Sequence, residues 1–141
     1  FLLEFIENKP HSVIQTTENI LKFSILSEFI YYVYHRIIHS NVFYKSIHSL
    51  HHENVQIYPF DTFHGTNLDT LFLLLALGIP NLFLRLNYFE VTTTLYVYVT
   101  ATYLDHSNIL LIHHAKHHKL IFCNYCILNP IFDILLGTYR Y

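Results

Sequence analysis

Apolar residues in this chain come in long runs rather than in the alternating or heptad patterns of a soluble domain. From Ile20 to Ile38 most positions are Leu, Ile, Phe or Tyr, and the run ends in the motif H-R-I-I-H. A helix over this stretch rises about 28 Å, close to the thickness of a bilayer's hydrocarbon core, although Lys22 and Glu28 interrupt it. Residues 41–65 are polar and His-bearing, punctuated by Pro59 and Gly65, and belong outside the hydrocarbon. Two further apolar stretches follow. Leu68 to Leu86 is broken by Gly78, Pro80 and Asn81, and Tyr88 to Leu104 opens with Asn87 and Glu90 near its start. Their spacing predicts a helical hairpin across a membrane. The run T-T-T-L-Y-V-Y-V-T has the make-up of a strand, but an open strand in lipid leaves its backbone unsatisfied, so helix is expected there too. Residues 1–19, with Pro10 breaking any upstream helix, read as a loop or interfacial segment. Residues 20–141 read as one domain: an all-α, multi-helix integral membrane protein.

Composition narrows the function. The chain is 52% hydrophobic and only 13% charged, too apolar for an ordinary soluble protein. A net charge of −2 with no basic block offers no footprint for nucleic acid. With Phe1 at its start and no methionine, the sequence reads as a fragment or processed piece. The first thirty residues lack the features of a secretory signal. Cys123 and Cys126 form a lone C-N-Y-C pair, read as two reduced thiols in a packed turn.

The chemistry lies in the histidines. Of the 12, eight fall into three tight groups: His35/His39, His48/His51/His52 and His114/His117/His118. Each group contains an i, i+4 pair, which projects two ring nitrogens from one helix face, and the second and third share the spacing H-x-x-H-H. Neutral imidazole is a common ligand for iron, zinc and copper. Eight rings are too many for one tetrahedral zinc, so two metals are the natural count. If the hairpin crosses and returns, the second and third groups face the same compartment and can meet, with His64 and His106 at the hairpin's ends as further ligands. Arg36, Lys45, Lys116, Lys119 and Arg140 lie on that side, against Lys9, Lys22 and Arg85 on the other, which makes it cytosolic by the positive-inside tendency. His113 is left open between ligand and bystander, and His11 is read as a bystander. Redox-active iron held this way would suit attack on the C–H bonds of a lipid.

The runs E-F-I-Y-Y-V-Y-H-R-I-I-H, Y-K-S-I-H-S-L-H-H-E and H-H-A-K-H-H, with N-Y before F-D-I-L-L-G-T-Y, resemble the fatty acid hydroxylase/sterol desaturase superfamily over about residues 28–141. The doubled His113-His114 and Asn124-Tyr125 look most like its sterol branch. The resemblance implies a non-haem di-iron enzyme of the endoplasmic reticulum, or of a bacterial inner membrane, with its active site facing the cytosol. It implies dioxygen as co-substrate, a lipid or sterol as substrate, and electrons from cytochrome b5 and an NAD(P)H reductase. By the same resemblance the metal ligands are His35, His39, His48, His51, His52, His64, His106, His114, His117 and His118. After His64 the chain has Gly65-Thr66-Asn67 where the family usually has H-P-x-E or H-P-x-D, and Asp69 is a possible substitute carboxylate. Glu28, two turns from His35 on one helix face, is read either as orienting a ligating imidazole or as a packing contact. Asp133 is read as an acceptor for the third histidine group or as a helix cap.

A different class remains open: a non-catalytic, histidine-rich membrane protein that binds or carries zinc. Transporters place ionisable ligands near the bilayer midplane on broken helices, whereas these clusters sit at helix ends and in polar segments.

Overall fold

Ser12 decides where the first helix begins. Its backbone is extended and its hydroxyl accepts the Gln15 amide at 3.2 Å, so α1 spans Val13–Ile38 and starts well ahead of the apolar run. The computed structural model describes residues 5–107, 109 and 113–141, and every regular element among them is helical. One turn of π-helix, Tyr44–His48, and two 3-10 turns, His51–Glu53 and Pro59–Phe63, follow α1. Then come α2 (Asn67–Gly78), α3 (Pro80–Phe83), α4 (Tyr88–Asp105), α5 (His113–Leu120) and α6 (Ile131–Leu135). Of the apolar piece at 109–112 that precedes the third histidine group, only residue 109 is among the described residues.

Local chemistry explains the breaks. Pro80, which has no N–H to give, opens α3, and the Asn81 side chain donates instead to the Leu77 and Gly78 carbonyls. Asn87 and Glu90 form a reciprocal cap at the start of α4: the Asn87 oxygen accepts the Glu90 amide at 2.9 Å and the Glu90 carboxylate accepts the Asn87 amide at 3.0 Å. The strand-like run is helical as expected, and the hydroxyls of Thr92 and Thr94 return to carbonyls one turn back, which satisfies them without a partner strand.

α1 is the axis, packed against α2, α3, α4 and α6. Its Phe23 and Tyr31 share a buried cluster with Ala76, Leu77, Leu86, Tyr98 and Ile127, where Phe23 and Tyr98 meet edge to face at 5.8 Å. Ahead of α1, the Glu7 amide donates to the Leu86 carbonyl, and His11 lies 2.9 Å from Glu90 through Nδ1 and 3.2 Å from Glu7 through Nε2. Hydrogen bonds to Glu90 and then Glu7 raise the pKa of His11. These bonds tie the segment ahead of α1 to the start of α4.

No helix among the described residues is long and apolar enough to cross a membrane. At 12 residues α2 rises only about 18 Å, α1 carries Glu18, Lys22, Glu28 and Arg36, and α4 is threonine-rich. The second apolar run, expected as one span, is two helices. Yet α1 exposes Leu21, Ile25, Phe29, Val33 and Ile37, an unbroken i, i+4 stripe along its outer face.

Candidate metal centre

The three histidine groups converge. His35 and His39 sit in the last turn of α1 and its cap, His48 closes the π-turn, His51 and His52 open the following 3-10 turn, and α5 presents His114, His117 and His118. His106 caps the end of α4. Among the described residues these nine rings form two groups: His35, His39, His48, His52 and His117, and beside them His51, His106, His114 and His118. Within each group one nitrogen from every ring lies within 4.8 Å of all the others. The groups adjoin, with the rings of His52 and His118 4.4 Å apart. None of the nine is more than 7% exposed.

The repeated spacing has a geometric meaning that linear inspection leaves hidden. In H-S-L-H-H, His48 and His52 go to the five-ring group and His51 to the other; in H-A-K-H-H, His114 and His118 go to the four-ring group and His117 to the other. Neighbouring helical residues diverge by about 100° whereas i, i+4 residues nearly coincide, so each motif reaches both groups, in opposite proportion.

Five rings have their tautomer fixed from outside. A carbonyl only accepts, so Nδ1 must donate where it meets one: His35 to Tyr125 at 2.7 Å, His51 to His64 at 3.0 Å, His106 to Thr102 at 2.8 Å and His117 to Cys123 at 2.6 Å. His48 Nδ1 meets the Asp69 carboxylate at 2.7 Å. Each of these rings therefore turns a bare Nε2 lone pair inward. The Nε2 atoms of His48 and His35 stand 3.0 Å apart, those of His48 and His52 3.2 Å, and those of His52 and His117 3.1 Å. The lone pairs of His35 and His48 repel at that separation unless a cation lies between them, whereas His52, whose Nδ1 has no partner among the described residues, is free to carry its proton on Nε2. Further buried nitrogens, both of His39, His114 and His118 and Nε2 of His106, have no hydrogen-bond partner among the described residues. Orphaned donors of this number and type fit two metal ions.

Burial suits the rings to that role. It pushes His39 down to about 3 and His52 to about 4, and it lowers His48, His51, His114, His117 and His118 as well, reinforced by neighbouring imidazoles. The rings stay neutral at physiological pH, the form that binds metal.

The segment after α5 forms the outer wall. Ile121 takes a left-handed backbone (φ 65°), unusual for a β-branched residue, and turns the chain back across the site. The carbonyls of Cys123 and Tyr125 then face His117 and His35, while the amides behind them are held by two carboxylates. Asp133 accepts the Tyr125 and Cys126 amides at 2.8 Å each, and Glu28 accepts those of Ile127, Leu128 and Asn129 at 2.8–3.1 Å. The expected direct contact of Glu28 or Asp133 with an imidazole is thus replaced by one through the backbone. An acceptor-only carboxylate finds adjacent amides in an irregular turn, and the turn positions the rings.

Other expectations resolve individually. His64 stands outside both groups: its ring is half-exposed and pairs with Glu53 at 3.0 Å, and only its carbonyl serves the site. The Gly65-Thr66 turn explains this, since Thr66 caps α2, bonds the Ile47 carbonyl and brings Asp69 rather than the His64 ring to the centre. His113 donates to the Ile127 carbonyl at 2.9 Å. Cys123 and Cys126 are free, buried thiols in the turn. The carbonyls of Cys123 and Tyr125 went unforeseen because backbone acceptors carry no residue signature; Asn124, in a left-handed conformation (φ 56°), was the available hint of a tight turn.

Beside His48 and His51 a cavity of about 30 Å³ is bounded by Tyr31, Tyr34 and Asp69. On the far side of Tyr34 an apolar groove of about 370 Å³ runs between α1 and α2, lined by Phe29, Val33, Ile37, Phe72, Leu75 and Ile79.

A family model described as fatty acid hydroxylase matches residues 20–138. Methylsterol monooxygenase 2-2 of Arabidopsis thaliana is 34% identical over 59 residues, 42% of this chain and 22% of that protein. Protein CER1-like 2 of Arabidopsis thaliana is 28% identical over 138 residues, 79% of this chain and 22% of that protein. The chain thus spans about a fifth of the length of these relatives. No solved structure matches it. Because the family match runs over most of the chain and encloses every histidine of both groups, the chain belongs to the fatty acid hydroxylase family.

Proposed function

We propose that this chain is the catalytic portion of a membrane-bound oxygenase that hydroxylates or desaturates a lipid, a sterol foremost, at a pair of iron ions. One observation carries the reading: nine buried imidazoles turn their free nitrogens into two adjoining groups. Iron bound there would supply the dioxygen activation that attack on an unactivated C–H bond requires. Membership in the family and a relative named as a methylsterol monooxygenase support a lipid substrate.

The chain's own residues have definable tasks. Carbonyls of Tyr125, Cys123, His64 and Thr102 and the carboxylate of Asp69 lock five rings with Nε2 inward, so the metal set is built before any ion arrives. The groove beyond Tyr34 has the size and apolar lining that a hydrocarbon chain or sterol skeleton needs, and Tyr34 stands between it and the cavity beside His48 and His51. The exposed α1 stripe supports contact with a bilayer, in the endoplasmic reticulum or a bacterial inner membrane, with the histidine-bearing end towards the cytosol and its electron donors, cytochrome b5 and a reductase.

The test is reconstitution. Protein in detergent or nanodiscs, loaded with ferrous iron and given a reducing system, is incubated with sterols and with long-chain lipids. Hydroxylated or desaturated product, absent from a His51→Ala control, is the expected outcome. Stoichiometric zinc, with no oxidation after iron loading, would instead identify a zinc-binding protein.

A further inference from the structure

The two histidine groups differ in their access to negative charge. The five-ring group has Asp69 bonded to His48, whereas among the described residues the four-ring group consists of imidazole alone. Next to the latter lies Asp105, the last residue of α4, only 1% exposed. Its Oδ1 is buried and has no hydrogen-bond partner among the described residues. A buried carboxyl oxygen with no partner is costly whether the group is ionised or protonated, and such an arrangement needs a reason. Asp105 shares a cavity of about 20 Å³ with His51, His106 and His114, three of the four rings, and with Thr62 and Thr102. Nε2 of His106 and both nitrogens of His114, two residues that line it, have no hydrogen-bond partner among the described residues either. The space accommodates about one water molecule, and the wall offers the polar partners that a buried water requires.

We propose that Asp105 completes the four-ring group, acting through one water held in this cavity to supply the anionic partner that the group otherwise lacks. The inference rests on the two-metal reading above. A divalent ion caged by four neutral imidazoles keeps its whole charge in a dry interior, and a nearby carboxylate offsets it. Asp105 lies outside the set of mutually close ligand atoms, so it acts at one remove, as a positioning residue. Asp69 does the same for the other group through His48, which gives each centre one buried carboxylate.

Cobalt(II) is the probe, titrated into the full chain in detergent against a competing chelator and followed by its visible absorption. Wild type is expected to take two ions. Asp105→Asn keeps the shape but removes the charge; it should weaken one of the two ions about 10–100-fold and alter that ion's absorption, leaving the other intact. In Asp105→Ala, added formate, a small carboxylate able to enter the vacated space, should restore both affinity and spectrum. Two ions bound by both variants with wild-type affinity and spectrum would overturn the inference while leaving the two-metal reading in place. Weakening that formate does not reverse would overturn it too, because Asp105 would then serve packing alone. A wild-type chain that binds no cobalt would remove the two-metal reading and this inference together.

Discussion

The Nε2 atoms of His35 and His48 lie 3.0 Å apart, each on a ring whose Nδ1 is already committed, to the Tyr125 carbonyl and to Asp69 respectively. Neither ring has a proton left to place between them, so the pair is at ease only around a cation. Metal removal should therefore destabilise the fold. Chelator-treated protein is expected to unfold at lower temperature, and ferrous iron at about 1,000 times its dissociation constant should return about 4 kcal/mol per ion. Thermal unfolding with metal analysis checks this; identical midpoints with and without metal would count against it.

The division of the motifs between two groups makes single variants selective. His48→Ala should reduce metal content at the five-ring group and His51→Ala at the four-ring group, each leaving the other ion bound. His64→Ala should retain both ions, since only its backbone carbonyl meets the site. Metal stoichiometry of the three purified variants decides the matter, and loss of metal in His64→Ala would contradict the geometry.

Asp133→Asn puts an amide nitrogen against the Tyr125 or Cys126 N–H, where the carboxylate now accepts both. Loss of one such charge-assisted bond is expected to cost about 1.5–3 kcal/mol. Because the same turn carries the acceptors for His35 and His117, metal affinity should fall with it. Denaturant unfolding and metal titration of this variant measure the two effects.

Acid should act on the metal-free protein in a defined window. In the fold His39 is held down to about 3 and His52 to about 4, from an ordinary 6.5. Unfolded chains take up those protons below about pH 6.5, while the folded protein resists until pH 4 and then 3. Stability should thus decline steadily as pH falls through this range. A denaturation midpoint that stays flat from about pH 7 to about pH 4 would argue against it.

His11 carries the opposite sign. Its pKa is raised by Glu90 and Glu7, so the tie between the segment ahead of α1 and the start of α4 is complete below about pH 6.5 and lost as pH rises through the higher folded value. Protease cleavage ahead of Ser12 should accelerate on alkalisation, and Glu90→Gln should flatten that dependence.

Much of the site was legible because imidazoles at i, i+4 declare themselves at any distance in the chain. Nine of the ten expected ligands come together, while His64 does not, since the Gly65-Thr66 turn brings Asp69 inward in place of its ring. The carboxylates were harder to read. Glu28 and Asp133 are recognisable as polar residues in apolar surroundings, but their partners are amides 99 and 8 residues away, and no side-chain pattern encodes those.

Sequence alone determined the helical class, the family and the ligand chemistry, because hydrophobic runs, residue type and short-range spacing are local properties. Tertiary structure decided which ring joins which group, the tautomers, and the isolation of Asp105. Those depend on where α1, α4, α5 and the turn after α5 meet, and that meeting is fixed by packing and by backbone hydrogen bonds between residues far apart in the chain.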